Sequence, residues 1–133
     1  MPSSQISSIT RINSNIKDLF IYLYGLSPLD LELLLILMKK NKPMSVEELA
    51  RKADRDKSTV FRSLKKMVNE GICVKETRSM KEGGYYHEYG AIDVETFKLE
   101  TEKRIKDIQT SFERLIKKFE DDIQHMLSSF YQK

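Results

Sequence analysis

The sequence predicts a mainly α-helical fold carrying one small β-hairpin and a long C-terminal helix. Three observations predict it. Capping signals open a succession of short amphipathic segments between Ser27 and Gly71. Two β-prone runs, Ile72 to Arg78 and Tyr85 to Ile92, flank a linker that contains Gly83-Gly84. From Asp93 to Tyr131 there is neither Pro nor Gly, and apolar residues recur at steps of three and four.

Residues 1–8, MPSSQISS, are Ser-rich and expected to form a loose tail. Ile9, Ile12, Ile16, Leu19, Phe20 and Leu23 then follow at helical spacing, predicting a first helix that ends near Gly25. Ser27-Pro28-Leu29-Asp30 is a helix start, with Ser as N-cap, Pro in the first turn and an acid at the third position. The helix it opens is apolar nearly all round, from Leu31 to Met38, so burial from several sides is expected. Lys39, Lys40 and Lys42 crowd its C-terminal end, where positive charge suits the dipole, and Pro43 stops it.

Ser45-Val46-Glu47-Glu48 reads as a capping box before a short helix that turns Val46, Leu49, Ala50 and Ala53 inward. Asp56 caps the next helix, whose apolar stripe is Val60, Phe61, Leu64, Met67 and Val68, and Gly71 ends it. The hairpin comes next, with a flexible tip at Ser79 to Gly84. In the long terminal helix, Ile105, Ile108, Phe112, Leu115, Phe119, Ile123, Met126 and Phe130 form a coiled-coil seam. One four-residue stutter falls near Asp121-Asp122, where the supercoil should unwind. The expected organisation is a tail at 1–8, a DNA-binding domain at 9–92 and a dimerisation helix at 93–133.

Composition narrows the function classes. A chain of 133 residues with 40% apolar and 32% charged residues suits one domain with long exposed helical faces. A single cysteine, Cys73, excludes a disulfide framework and a Cys-rich zinc site, and fits a reducing cytoplasm. His87 and His125 have no metal-ligand spacing, no Gly-rich phosphate loop occurs, and no nucleophile, base and orienting group assemble. No metal, cofactor or enzymatic activity is therefore expected. Leu19 to Met38 is apolar but carries Pro28, Asp30 and Glu32, which lipid would penalise heavily. The first ten residues lack the charged start of a signal peptide, and a cytoplasmic location is expected.

A helix, a short capped helix, a tight turn, a second helix and a hairpin together make a winged helix-turn-helix, a frame that presents one helix to a major groove. On a wheel of about 100° per residue with Val60 at zero, the apolar stripe of that helix centres near 40°. The opposite face carries Ser58, Thr59, Arg62, Lys65, Lys66 and Asn69, donors and cations suited to phosphates and base edges. Arg62 is the first candidate for bidentate contact with guanine. Lys57, Ser58 and Thr59 stand at the helix N-terminus, and Ser63 is counted with this contact set. In the wing, Arg78, Lys81 and Tyr85 are candidates for phosphates or an adjacent minor groove. Residues 55–81 hold eight cations against three acids, whereas residues 92–133 hold eight against nine. The chain is only +3 overall, so its positive charge is concentrated on the helix and wing.

The run SVEELARKADRDKSTVFRSLKKMVNEGICVKE, followed by GGYYHEYGAI, resembles archaeal winged-helix regulators of the TrmB and MarR-like superfamily. It is most similar to the small Lrs-like archaeal regulators, over roughly Pro28 to Tyr131. That resemblance implies a sequence-specific transcription regulator that acts as a dimer. It also implies DNA contact through the helix matching Asp56–Asn69 and the wing matching Arg78–Tyr86. The large sensor domain of the sugar-binding relatives has no counterpart here.

A homodimer is expected on physical grounds as well. About 39 helical residues span roughly 58 Å, against about 36 Å for a compact globule of this length. Such a helix leaves its apolar seam bare unless a second chain covers it. A two-fold dimer would place two recognition helices for major grooves about 34 Å apart, and antiparallel arms would hold the two heads apart. The alternative reading is a winged-helix protein-interaction module that reads no DNA, which an acidic or apolar recognition face would favour.

Overall fold

The computed structural model describes residues 15–131. It contains α1 (Ile16–Tyr24), α2 (Pro28–Lys40), α3 (Val46–Ala53), α4 (Lys57–Asn69), β1 (Cys73–Ser79), β2 (Tyr85–Ala91), α5 (Val94–Lys117) and α6 (Phe119–Tyr131). The fold is mainly helical with one antiparallel hairpin, a winged helix-turn-helix followed by a long C-terminal helical segment. The chain divides after Lys98 into two compact units, so α5 begins in the first and continues into the second.

Local capping chemistry sets where the helices begin. Asn15 accepts from the Lys17 and Asp18 amides, and Asp18 accepts from the Asn15 amide in return. Asn15 is extended, with φ −132° and ψ −176°, so α1 starts at Ile16 rather than continuing from Ile9 as the spacing predicts. Ile9, Ile12 and the Ser-rich tail lie outside the described residues. Gly25, at φ 66°, ends α1 in the left-handed conformation that a side chain would strain. Two further reciprocal boxes open α2 and α3, from Ser27 with Asp30 and from Ser45 with Glu48.

The stop of α2 comes earlier than Pro43. Asn41 adopts φ 55° and returns its amide to the Leu37 carbonyl at 3.0 Å, so the chain has left the helix before the proline. Burial of α2 extends over most of its circumference, with Leu29, Ile36 and Met38 half-buried against the core. Leu33, Leu34 and Leu37 are fully enclosed, whereas Leu35 is exposed on the far face. The α4 terminus matches the expected glycine cap: the Gly71 amide reaches the Val68 carbonyl and the Ile72 amide reaches Met67.

Strands β1 and β2 pair in register from Cys73 with Ala91 to Ser79 with Tyr85. A further bridge joins Met44, just before α3, to Tyr89, through bonds of 2.8 and 2.7 Å. The hairpin is thereby stitched to the segment between α2 and α3. Beneath it lies one core of Leu26, Leu33, Leu34, Leu37, Leu49, Val60, Leu64, Met67, Ile72 and Tyr89. Phe97, in the first turn of α5, stacks on Phe20 at 4.8 Å and tilts against Tyr24 at 5.4 Å.

The uninterrupted terminal helix that the sequence predicts is broken once, at Lys118. Leu115, Phe119 and Ile123 are separated by two consecutive steps of four, so the apolar phase changes at Phe119, before Asp121-Asp122. The Lys118 amide is stretched to 3.3 Å from the Arg114 carbonyl, while Asp122 returns to Lys118 at 2.9 Å. Glu120, Asp121 and Asp122 then occupy the first turn of α6, where negative charge is favourable. Among the described residues no single helix is long and apolar enough to cross a membrane. The apolar pair α1 and α2 is bent by 108°.

Candidate nucleic-acid interface

α3 and α4 are joined by a three-residue turn that their caps define. Asp54 adopts φ 55° and ends α3, the Arg55 amide returns to the Ala50 carbonyl, and Asp56 begins α4. Asp56 accepts from the Ser58 hydroxyl at 2.5 Å, the Thr59 hydroxyl at 2.7 Å and the Thr59 amide at 3.1 Å. Those hydrogen bonds hold its carboxyl well below the usual carboxylate value, so it caps α4 as an anion. Ser58 and Thr59, candidates for DNA contact, thus spend their hydroxyl protons on the cap. Their oxygens remain acceptors, and Thr59 Oγ1 accepts from Arg62 at 3.4 Å.

Helix α4 carries Lys57, Arg62, Lys65 and Lys66 and no acid. Lys57, Arg62 and Lys65 are exposed, and none forms an ion pair among the described residues. The other two expected contacts on this helix are placed differently. Ser63 is only 6% exposed and donates its hydroxyl to Asp30 Oδ1, so it is withdrawn from any outer surface. Lys66 pairs with Asp30 Oδ2 and donates to the Gly25 carbonyl at 3.1 Å. The side of α4 that binds Asp30 is therefore inward, although no apolar residue marks it.

The buried stripe of α4 shifts accordingly. Val60, Ser63, Leu64 and Met67 are enclosed, whereas Phe61, expected in the core, is 46% exposed. At about 100° per residue the observed centre lies about 50° from the apolar stripe, toward Ser63. Ser58, Arg62, Lys65 and Asn69 then form the outermost row, and Thr59 and Lys66 fall to its flank.

In the sequence Asp30 marks only a helix start, as the acid at its third position, but in the fold it is also the partner of Ser63 and Lys66. Burial raises its carboxyl, but hydrogen bonds from Lys66, Ser27 and Ser63 and the Lys66 charge outweigh that and hold it below its ordinary value. No spacing rule links Asp30 to Ser63 and Lys66, since the fold alone makes them neighbours.

The wing departs from expectation in its charge. Arg78 is held between Glu76 at 2.7 Å and Glu88 at 3.0 Å. The hairpin from Cys73 to Ala91 contains three cations and three acids, so it is neutral overall. The +5 counted over residues 55–81 stops short of Glu82 and Glu88, which the fold returns to the same hairpin. Lys81 and Tyr85 stand exposed near the tip, Tyr85 at 73%, while Tyr89 is buried beneath it. Cys73 is buried, and burial followed by the Asp30 charge pushes its thiol up to about 12.

A groove of about 520 Å³ lies between the end of α2, the hairpin and the start of α5, with Lys42, Glu76, Asp93 and Thr96 among its lining. Asp93 is committed to the Thr96 amide at 2.7 Å, as cap of α5. Among the described residues no group of three or more His, Cys, Asp or Glu is placed to hold a metal ion.

The second unit exposes much of its expected seam. Phe112, Leu115, Phe119, Met126 and Phe130 are each 57–66% exposed, Ile123 is 38% exposed, and Ile105 and Ile108 are half-buried. Ile116 and Leu127, which the heptad count omits, broaden the same apolar surface.

The HVO_A0114 family model matches residues 25–94. A curated relative, the uncharacterized protein MJ1503 of Methanocaldococcus jannaschii, is 33% identical over 85 residues, 64% of this chain and 61% of that protein. The match thus spans about three fifths of the relative's length. A solved structure from Methanosarcina mazei Go1, bearing the name "possible transcriptional regulator", superposes with a TM-score of 0.72 at 18% identity. It covers 83% of this chain and 95% of that one. The ST1889 protein of Sulfolobus tokodaii superposes with a TM-score of 0.58 at 25% identity, covering 71% of this chain and 92% of that one.

Proposed function

The chain belongs to the HVO_A0114 family, and from its winged helix and basic α4 face we propose a double-stranded DNA-binding transcription regulator acting as a homodimer. One observation carries the reading: an acid-free helix sits at the second position of a helix-turn-helix, with Arg62 and Lys65 exposed and outside any ion pair among the described residues. Arg62 is the base-reading candidate, and Lys57 and Lys65 serve phosphates. Ser58 and Asn69 complete the outward row.

The neutral wing changes its assigned part. Lys81, outside the Arg78 pairing and next to the tip, is its candidate for phosphate, and Tyr85 offers an aromatic face there. Two copies joined along the exposed seam of α5 and α6 would cover that apolar surface and supply a second recognition helix. The name of the Methanosarcina mazei neighbour, a possible transcriptional regulator, is in keeping with this reading.

A salt-titrated gel shift on duplex DNA tests the reading. Affinity should fall steeply with salt, and Arg62→Ala should cost about 1–3 kcal/mol and relax base preference. Failure to retard any duplex at low salt would transfer the assignment to a protein-interaction module.

A further inference from the structure

We infer that Asp30 is a positioning residue for DNA reading, which sets the roll of α4 about its own axis and so selects the cations that face the groove. The inference rests on the DNA-binding reading and names the side chain that orients it. Apolar residues alone would centre the inward face of α4 between Phe61 and Val68 on one side and Met67 on the other. The observed face is turned about 50° from there, toward Ser63. That turn leaves Phe61 at 46% exposure and buries a serine in its stead, which apolar burial does not favour.

The compensation lies in one carboxylate. Asp30 is only 2% exposed and belongs to α2, held there by the Ser27 amide at 2.8 Å. Its Oδ1 accepts from Ser63 and its Oδ2 pairs with Lys66. Ser63 and Lys66 are three residues apart, so they stack along one side of α4. A single group gripping both fixes rotation and axial position together. Arg62 and Lys65 precede them by one residue each and are carried about 100° round, onto the outward row. Lys66 is simultaneously removed from the phosphate contacts, because its ammonium is spent on Asp30 and on the Gly25 carbonyl at the α1–α2 turn.

The test compares full-length wild-type chain with Asp30→Asn and Ser63→Ala, each checked for cooperative unfolding. The measured quantities are the ratio of affinities for a duplex selected by the wild type and for a scrambled duplex, and the salt slope. Asp30→Asn should lower the ratio at least about tenfold and steepen the slope by about 0.9 per head as Lys66 becomes free for phosphate. Ser63→Ala, which keeps the ion pair and will fold even where Asp30→Asn fails to, should lower the ratio with the slope unchanged. A folded Asp30→Asn with wild-type ratio and slope overturns the positioning role, as does an unchanged ratio in Ser63→Ala when Asp30→Asn does not fold. A wild-type chain that binds neither duplex defeats the DNA reading itself, a separate failure.

Discussion

Lys66 of α4 forms an ion pair with Asp30 of α2 in which the carboxylate side chain is 3% exposed and the ammonium side chain 42%. The pair is asymmetric in solvation. Asp30 depends on its partners for charge compensation, whereas Lys66 could return to water at little cost.

Lys66→Ala should therefore act on stability and not on phosphate contact. Removing one partner of a fully buried pair costs about 3–5 kcal/mol. Solvent screening at Lys66 reduces this to about 1–3 kcal/mol. Chemical denaturation should register that loss, while the salt slope of DNA binding stays at its wild-type value. Lys65→Ala should do the reverse, lowering the slope by about 0.9 with little effect on the unfolding midpoint.

Acid should uncouple Asp30. Its carboxyl lies lower in the folded chain than in the unfolded one, so its stabilisation is fully present above the unfolded value of about 4. It is lost as pH falls from there through the folded value. The stability gap between wild type and Asp30→Asn, measured by urea titration, should be constant near neutrality and close below about pH 4. A gap that grows on acidification would contradict this sign.

Cys73 should be an inert thiol. With its ionisation pushed up to about 12 and its side chain buried, it should react with a disulfide reagent at pH 8 far more slowly than the urea-unfolded chain does. Because the folded value is raised, the neutral thiol's contribution to stability is present below about 9 and lost as pH climbs toward 12.

In the wing, Arg78→Ala should weaken DNA binding less than Arg62→Ala, since Glu76 and Glu88 already neutralise that guanidinium. Glu88→Gln, which releases one of the two carboxylate partners, should tighten low-salt binding. Parallel gel-shift titrations of the three variants compare these effects directly.

The seam of α5 and α6 should hold two copies together. Phe119→Asp, placed where the apolar phase changes, should convert a dimer to a monomer in sedimentation equilibrium at micromolar concentration. A wild-type chain that sediments as a monomer under those conditions would remove the dimer from the proposal.

Much of this fold was legible because its signals are local. Ser27 with Asp30, Ser45 with Glu48, Asp56 with Thr59, and Gly71 each cap through atoms within a few residues, so sequence spacing suffices to read them. The hairpin itself was equally legible, from two β-prone runs flanking the Gly83-Gly84 linker, and the structure added its register. The start of α1 is local too, since Asn15 caps it at Ile16 within the helical period that Ile16, Leu19, Phe20 and Leu23 set. The candidate site was less legible. Phe61 looked inward because it is apolar, and Ser63 and Lys66 looked outward because they are polar.

The sequence by itself determined the order of elements, the helix caps, the absence of acids from α4 and the apolar period of the terminal segment. Each is a property of neighbours along the chain. Only the tertiary structure decided the roll of α4, the withdrawal of Ser63 and Lys66 and the bridge from Met44 to Tyr89. Those depend on pairs far apart in sequence, where a buried carboxylate takes the partners that the fold brings within reach. Burial makes such a partnership outweigh the hydrophobic pattern, because an unpaired charge in the core costs more than one exposed phenylalanine.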